Sequence, residues 1–173
     1  ASREEARVRD GIFVPLEEQD PALWDRALLA IGRDYLARAQ ALAALGRFQL
    51  EAAIQAVHAD RINTGITNWD VLVQLHLGLL RIAPTIGARV GYAAALGMAG
   101  NPKEGLETLH QIDSKVRAAF APAEATLAYL LSETSDDQGA FEAYDRAIAL
   151  TTEPPLRHYL ETTRAGRADK MLN

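Results

Sequence analysis

Two stretches near the end of the chain repeat each other at a spacing of 35 residues, and this period constrains the fold more than any single residue does. Equivalent positions carry the same type of side chain: small at Gly105 and Ala140, large and apolar at Leu106 and Phe141 and at Leu109 and Tyr144, acidic at Glu107 and Glu142. A unit that recurs in this way cannot bury its apolar face alone. Such units therefore stack on one another.

A unit of about 34 residues that folds as helix–turn–helix is typical of tetratricopeptide repeats (TPR). We predict an all-α fold, with TPR-like antiparallel helical hairpins stacked into a short right-handed solenoid of about eight to nine helices. Within a repeat domain over residues 20–173, the clearest repeats are expected at about 86–112 and 122–150, followed by a capping helix at about 154–168. Residues 1–19 are predicted to be an irregular arm, the end of a preceding region, that docks its short apolar patch (Ile12, Phe13, Val14) on the first helices.

The first helix is predicted to begin at Asp20-Pro21, because Asp caps helix N-termini and Pro suits the first helical position. Gly32 is a candidate break in this helix, and Gly46 is placed to cap its C-terminus. Apolar residues recur every three or four positions on one face, which we expect to be buried: Trp24, Leu28, Ile31, Tyr35, Ala39 and Leu42.

Later boundaries have similarly clear signals. Asn68 is predicted to cap a helix that Pro84 ends, and residues 86–99 are rich in small side chains, which let helices approach closely. Asp136-Asp137 is interpreted as an N-cap rather than as a pair of catalytic carboxylates. No segment alternates apolar and polar residues as a half-buried strand does, so the pattern favours helices throughout.

Composition narrows the class of protein. With 49% hydrophobic and 24% charged residues, the 173-residue chain resembles an ordinary globular protein. The absence of cysteine excludes disulfides, thiolate metal sites and cysteine nucleophiles. A net charge of −5 without a basic cluster argues against direct nucleic-acid binding. Because there is neither a long apolar run nor a signal peptide, we expect a cytoplasmic chain without membrane contact. The chain does not start with methionine, which favours a segment of a longer protein.

Several phrases are more specific than the repeat pattern. They are Trp24 to Leu28, Phe48 to Ala59, Thr67 to Pro84 and Gly100 to Leu106. Together they resemble the C-terminal extension of one group of bacterial extracytoplasmic-function (ECF) sigma factors, and the resemblance runs in unbroken order from about Ile12 to Thr163.

The resemblance implies a regulatory module without catalytic residues or cofactors. In that group, a TPR-like extension follows the two sigma regions that bind DNA and RNA polymerase. The implied function is to modulate sigma activity in transcription initiation. The implied partners are the sigma regions of the same chain, the polymerase or a regulatory protein.

The histidines and aromatic residues could suggest a catalytic, metal or ligand site, but each has a simpler structural interpretation. His76 lies on an apolar face and is expected to be a hydrogen-bonded core residue. His58, His110 and His158 lie on different predicted helices, and the spacing of His158 and Glu161 is common on solvated faces. The aromatic residues at helical spacing are expected in the core: Trp24, Trp69, Phe141 and Tyr144. We therefore predict no catalytic, cofactor or metal site.

Partner binding is assigned to Gln74, Arg89 and Tyr92, which are polar or amphipathic and fall in the central part of the predicted stack. Two other functions stay open at this point. One is a free-standing TPR adaptor that binds a peptide or a protein unrelated to transcription. The other is an enzyme whose site is assembled from histidines and carboxylates on distant helices.

Overall fold

The computed structural model describes residues 2–42 and 44–171, with side chains up to residue 167. About 73% of the chain is helical. The helices are α1 (Arg26–Ala41), α2 (Arg47–Ala59), α3 (Arg61–Thr64), α4 (Trp69–Ile82), α5 (Ile86–Met98), α6 (Pro102–His110), α7 (Ser114–Ala118), α8 (Ala121–Glu133), α9 (Asp137–Leu150) and α10 (Pro154–Met171). Without the one-turn helices α3 and α7, eight α-helices lie within these ranges, in agreement with the eight to nine expected. The predicted domain 20–173 also includes residues 43, 172 and 173, which lie outside the described residues.

Side-chain caps set the start of several helices. Asn68 Oδ1 accepts a hydrogen bond from the Val71 amide at 3.1 Å, and Asp136 Oδ1 accepts from the Gly139 amide at 2.9 Å. Each cap pairs a backbone donor that the helix itself leaves without a partner. The predicted caps of α4 and α9 are therefore confirmed. Thr85 caps α5 in the same way.

The beginning of the repeat domain differs from the prediction. Asp20 caps only a 3-10 turn (Pro21–Leu23), and α1 starts after Asp25, whose carboxylate accepts from the Leu28 amide at 2.9 Å. Helix α1 runs through Gly32 without a break. Gly46 has extended backbone angles and begins α2 instead of ending α1. Asp20 and Asp25 both suit the N-cap of a helix, and the sequence analysis assigned the start of the first helix to Asp20.

The N-terminal arm contains a small hairpin that was not predicted. Strand β1 (Val8–Arg9) pairs antiparallel with β2 (Ile12–Phe13). The two turn residues between them, Asp10 and Gly11, have φ angles of 53° and 79°. Asp-Gly is a strong signal for a two-residue hairpin turn in which both φ angles are positive. The chain is therefore mostly helical rather than wholly so, and the arm is not irregular throughout.

The 35-residue period corresponds to two helix pairs, α5 with α6 and α8 with α9. The equivalent residues have equivalent burial: Gly105, Ala140, Leu109 and Tyr144 are buried, Leu106 and Phe141 are half-buried, and Glu107 and Glu142 are exposed. A main core joins these pairs to α10 through residues such as Leu109, Leu130 and Leu160. A second core joins α2, α4 and the start of α5.

Glycine allows the helices of the main core to approach closely. A Cβ atom at Gly97 would lie 2.4 Å from Leu130 Cδ2, and one at Gly105 would lie 2.8 Å from the Ala93 carbonyl oxygen. Non-bonded atoms do not approach so closely, and well-packed interiors adjust little. The small residues of α5 thus serve the close packing that the composition of residues 86–99 indicated, and Gly105 of α6 serves the same packing.

A buried ion pair network connects the helices of the second pair. Glu124 on α8 has a fully buried side chain, and its carboxylate accepts hydrogen bonds from Arg146 on α9 at 2.7 Å and from Arg117 on α7 at 3.4 Å. A carboxylate is tolerated in such a place only when it is paired and hydrogen-bonded. Because the partners lie 7 and 22 residues away, sequence periodicity gives no signal for this network.

No helix in the described ranges combines the length and the apolar character needed to span a bilayer.

The close approach of α5 and α6 predicts that alanine has opposite effects on stability at Gly105 and at Gly87. Gly105→Ala places a methyl group 2.8 Å from a backbone oxygen, so we expect it to lower the free energy of unfolding by about 1–3 kcal/mol. Gly87→Ala in α5 is the matched control, because nothing lies within 4 Å of its added Cβ. Alanine favours the helix there by up to about 1 kcal/mol. Urea unfolding followed by circular dichroism checks both values; equal stability of the two variants would contradict the packing argument.

Candidate functional site

The three residues predicted to bind a partner lie on α4 and α5. Gln74 is exposed, whereas Arg89 and Tyr92 are half-buried. The Arg89 guanidinium donates a hydrogen bond to Gln111 just after α6. Among the side-chain hydrogen bonds of the described residues, none links the three to one another. Their shared role in partner binding stays a prediction.

Two of the four histidines are half-buried: His58 of α2 lies near the arm and α4, and His76 of α4 lies near α5. His76 packs over Gly91, with its Cε1 2.8 Å from the place of an added Cβ, and burial lowers its pKa. It is half-buried, but its Nδ1 has no hydrogen-bond partner, which differs from the expected hydrogen-bonded residue. Within the part of the chain that the structure describes, no three His, Asp or Glu side chains are grouped to hold a metal ion.

His58 has the most perturbed titration of the described residues. Burial, together with the charges of Arg3 and His76, lowers its pKa to about 4. Its Nδ1 lies 3.9 Å from Glu17 Oε1 of the arm, too far for a hydrogen bond. Its ring meets Trp69 edge-on, with 5.6 Å between centroids. His58 is therefore a neutral imidazole between the arm and the helices at neutral pH.

Helix α1 presents an apolar stripe to solvent, contrary to the sequence prediction. Of the residues expected to be buried, Trp24 is buried and Ala39 half-buried. No residue of α1 itself is buried. The exposed fractions of the remaining residues are 42% for Leu28, 53% for Ile31, 66% for Tyr35 and 75% for Leu42. We call Leu28, Ile31, Tyr35 and Leu42 the α1 stripe.

A different face of α1 contacts α2. Leu29 and Leu36 are half-buried and line, with Ala52 and Ala56 of α2, a cavity of about 290 Å³ between the two helices, which Leu28 of the stripe also borders. Arg33 forms an exposed ion pair with Asp60 at 3.6 Å. The α1–α2 contact thus encloses a cavity, and among the described residues the α1 stripe stays largely exposed.

The arm is held on the helices by an arginine. Arg61 of α3 donates hydrogen bonds to the backbone carbonyls of Leu16 at 2.6 Å and Gln19 at 3.1 Å. Thr67 donates to the Glu17 carboxylate at 2.8 Å. These bonds satisfy backbone and side-chain groups of the 3-10 turn Leu16–Glu18. The arm thus docks on α3 and on the connection to α4 through these polar contacts and not, as expected, through its apolar patch.

The arm also reaches the last helix. The ring of Phe13 in β2 packs edge-on against Tyr159 of α10, with 5.7 Å between ring centroids. The predicted apolar patch of the arm is half-buried at Ile12 and Phe13 and buried at Val14. The arm therefore bridges the two ends of the helical array, a contact between residues that are distant in sequence.

Comparison with known proteins shows that the first 40 residues are similar to a protein family. The family DUF6596, described as a family of unknown function, matches residues 1–40, and this domain family is found in sigma-factor-like proteins. An uncharacterized protein of Rhizobium meliloti (strain 1021) is 28% identical over 160 residues. The alignment covers 92% of this chain but 38% of that protein, so the chain spans well under half of its relative. No solved structure matches significantly.

The lowered pKa of His58 predicts a specific pH dependence. The unfolded chain protonates this residue near pH 6.5, whereas the folded protein does so only near pH 4. The unfolded state therefore binds more protons between these values, and the stability that His58 contributes is complete above pH 6.5 and is lost as the pH falls towards 4. We expect the melting temperature of His58→Gln to decline less steeply over this range than that of the wild type.

The exposed His158 provides the control for this measurement. His158→Gln should retain the wild-type slope of melting temperature against pH. An identical slope for His58→Gln and the wild type would contradict the buried neutral state of His58.

Proposed function

We propose that the chain is a non-enzymatic regulatory domain of an ECF sigma factor, which modulates sigma activity in transcription initiation through protein contacts. The α1 stripe is the observation that carries this proposal. Monomeric proteins rarely expose contiguous apolar patches unless a partner covers them. An amphipathic helix whose apolar face is free is suited to pack into a groove or against another helix.

Burial of the α1 stripe in an interface would make a favourable contribution to the free energy of binding. Burying a Leu or Ile side chain contributes about 1.5–3 kcal/mol. Leu28, Ile31 and Tyr35 are spaced by three and four residues, so they lie on one side of α1 and would enter one interface together. Leu45 and Phe48, which follow α1 in the chain, are also exposed apolar residues, at 70% and 76%.

The partner we propose is the sigma regions on the same polypeptide. The segment matched by DUF6596 comprises the arm and α1 up to residue 40, so it contains most of the stripe. More than half of the Rhizobium relative lies outside the aligned region, which supports a larger protein with room for sigma regions. RNA polymerase or a separate regulatory protein is the corresponding intermolecular partner.

The remaining parts of the proposal follow from the repeat. We propose that α5–α6 and α8–α9 are TPR-like hairpins of a short right-handed solenoid and that α10 caps it. The 35-residue period and the matching burial of equivalent positions support this arrangement. The proposal assigns no catalytic residue, cofactor or nucleic-acid contact to the chain and places it in the cytoplasm.

Disruption of the α1 stripe tests the proposal. The measurement is promoter-specific transcription in vitro by RNA polymerase with the two sigma regions joined to residues 1–173. Ile31→Asp with Tyr35→Asp should change transcription at least about tenfold, because two desolvated carboxylates in an apolar interface cost several kcal/mol. Both side chains are exposed, so helicity and melting temperature should stay near those of the parent.

The matched control is Val116→Asp on α7, where an apolar side chain is 51% exposed and far along the chain from α1. It should leave transcription unchanged. Transcription that is indifferent both to the stripe substitutions and to removal of residues 1–173 would reject the proposal. A pull-down that recovers a client protein but never sigma regions or polymerase would favour the free-standing adaptor instead.

A further inference from the structure

A cavity between the arm and the first two helices contains features that the α1 stripe does not explain. It has a volume of about 370 Å³, within the range of small-molecule sites. Residues of the arm form most of it, and α1 and α2 complete the wall: Ser2, Arg3, Arg7, Phe13, Leu16, Gln19, Leu29 and Gln55.

Two arginines line this cavity without a carboxylate partner. Eight of the fifteen arginines form ion pairs with Asp or Glu among the described residues; Arg9, Arg26, Arg61, Arg81 and Arg89 lie outside this set as well. Neither Arg3 nor Arg7 forms such a pair within the described residues. Among the residues that the structure describes, the lining of the cavity contains these two guanidinium groups and no Asp or Glu, so the cavity itself is positively charged.

The environment of Arg3 is consistent with an uncompensated charge. Burial and the nearby charge of Arg7 lower its pKa from the usual value. Its guanidinium donates to the Gln55 amide oxygen and lies 5.7 Å from the centroid of the Trp24 ring. These contacts hold the planar group in place, and planar guanidinium groups bind carboxylate and phosphate with two parallel hydrogen bonds.

The other residues that line the cavity indicate which groups a ligand would carry besides its anionic group. Gln19 is 4% exposed; its amide nitrogen donates to the Val14 carbonyl at 3.0 Å, while its Oε1 has no hydrogen-bond partner. A buried acceptor left without a donor costs about 1–3 kcal/mol. Phe13, Leu16 and Leu29 supply the apolar side of the cavity. A ligand with an N–H or O–H group and an apolar body would contact all three kinds of wall.

We propose that this cavity binds a small organic anion, with its carboxylate or phosphate held by Arg3 and Arg7, its donor group near Gln19 and its apolar body against Phe13, Leu16 and Leu29. The ligand would contact both the arm and the α1–α2 pair. If the chain has the regulatory role proposed above, such a compound is a signal that alters how the arm and the α1 stripe are presented. The binding step itself does not depend on that role.

Calorimetric titration of the 173-residue chain tests the site directly. The probes are N-acetylphenylalanine, which has a carboxylate, an N–H group and an apolar ring, and phenyl phosphate, which carries the alternative anionic group. We expect saturable binding of at least one, and the tighter probe identifies the preferred group. The uncharged N-acetylphenylalanine amide should bind at least about tenfold more weakly, since a hydrogen bond to a charged group contributes about 1.5–3 kcal/mol.

Substitutions locate the binding. Arg7 is exposed, so Arg7→Gln should preserve the fold and weaken binding about tenfold. Arg3→Lys keeps the charge but loses the planar group, and it should weaken binding as well. Arg81→Gln on α4 removes the same charge from an exposed position outside the cavity and should leave the affinity within about twofold.

The fluorescence of Trp24, isolated by Trp69→Phe, gives a second readout because Arg3 lies beside this indole. Absence of saturable binding with a dissociation constant below about 10 mM for both charged probes would overturn the inference. Equal binding of the uncharged amide, or full affinity in both Arg7→Gln and Arg3→Lys, would also overturn it. Since no transcription is measured, these outcomes are separate from failure of the proposed function.

Discussion

The close approach of α5 to α6 and α8 is the contact on which the rest of the helical array depends. At Gly97 and Gly105 a single added carbon would collide with Leu130 or with backbone, so these helices can meet only where side chains are absent. The contact positions α8, and α8 in turn carries Glu124, whose buried carboxylate joins α7 and α9. Packing and ion pairing thus define the C-terminal half together.

The N-terminal part is built differently. Helix α1 buries none of its residues, and the arm beside it is held both by two hydrogen bonds from Arg61 to backbone carbonyls and by the packing of Phe13 on Tyr159. Segments with few buried apolar contacts open more easily than a core does. The surfaces proposed for function, the α1 stripe and the cavity with Arg3 and Arg7, both lie in this less densely packed part. A regulatory contact or ligand would supply the burial and the negative charge that these surfaces lack.

Local signals predicted most of the helices well. Asn68 and Asp136 cap helices as expected, because a cap requires only the residue and the few amides that follow it. The same rule selected Asp20 when Asp25 was the true cap of α1, since two aspartates near one helix start satisfy it equally. The Asp10-Gly11 turn was visible in the sequence, but the flanking strands are too short for alternation to indicate them. The exposure of Tyr35 was missed because periodicity identifies an apolar face and not what covers it.

The order of amino acids alone specifies the helical character of the chain, the 35-residue repeat and the positions of most helix ends, since each depends on residues within a few turns of one another. Only the tertiary structure decided which apolar faces are buried, which arginines find a carboxylate, and that Phe13 meets Tyr159. These contacts join residues far apart in sequence. Their partners depend on how whole helices pack, and no local pattern of side chains contains that information.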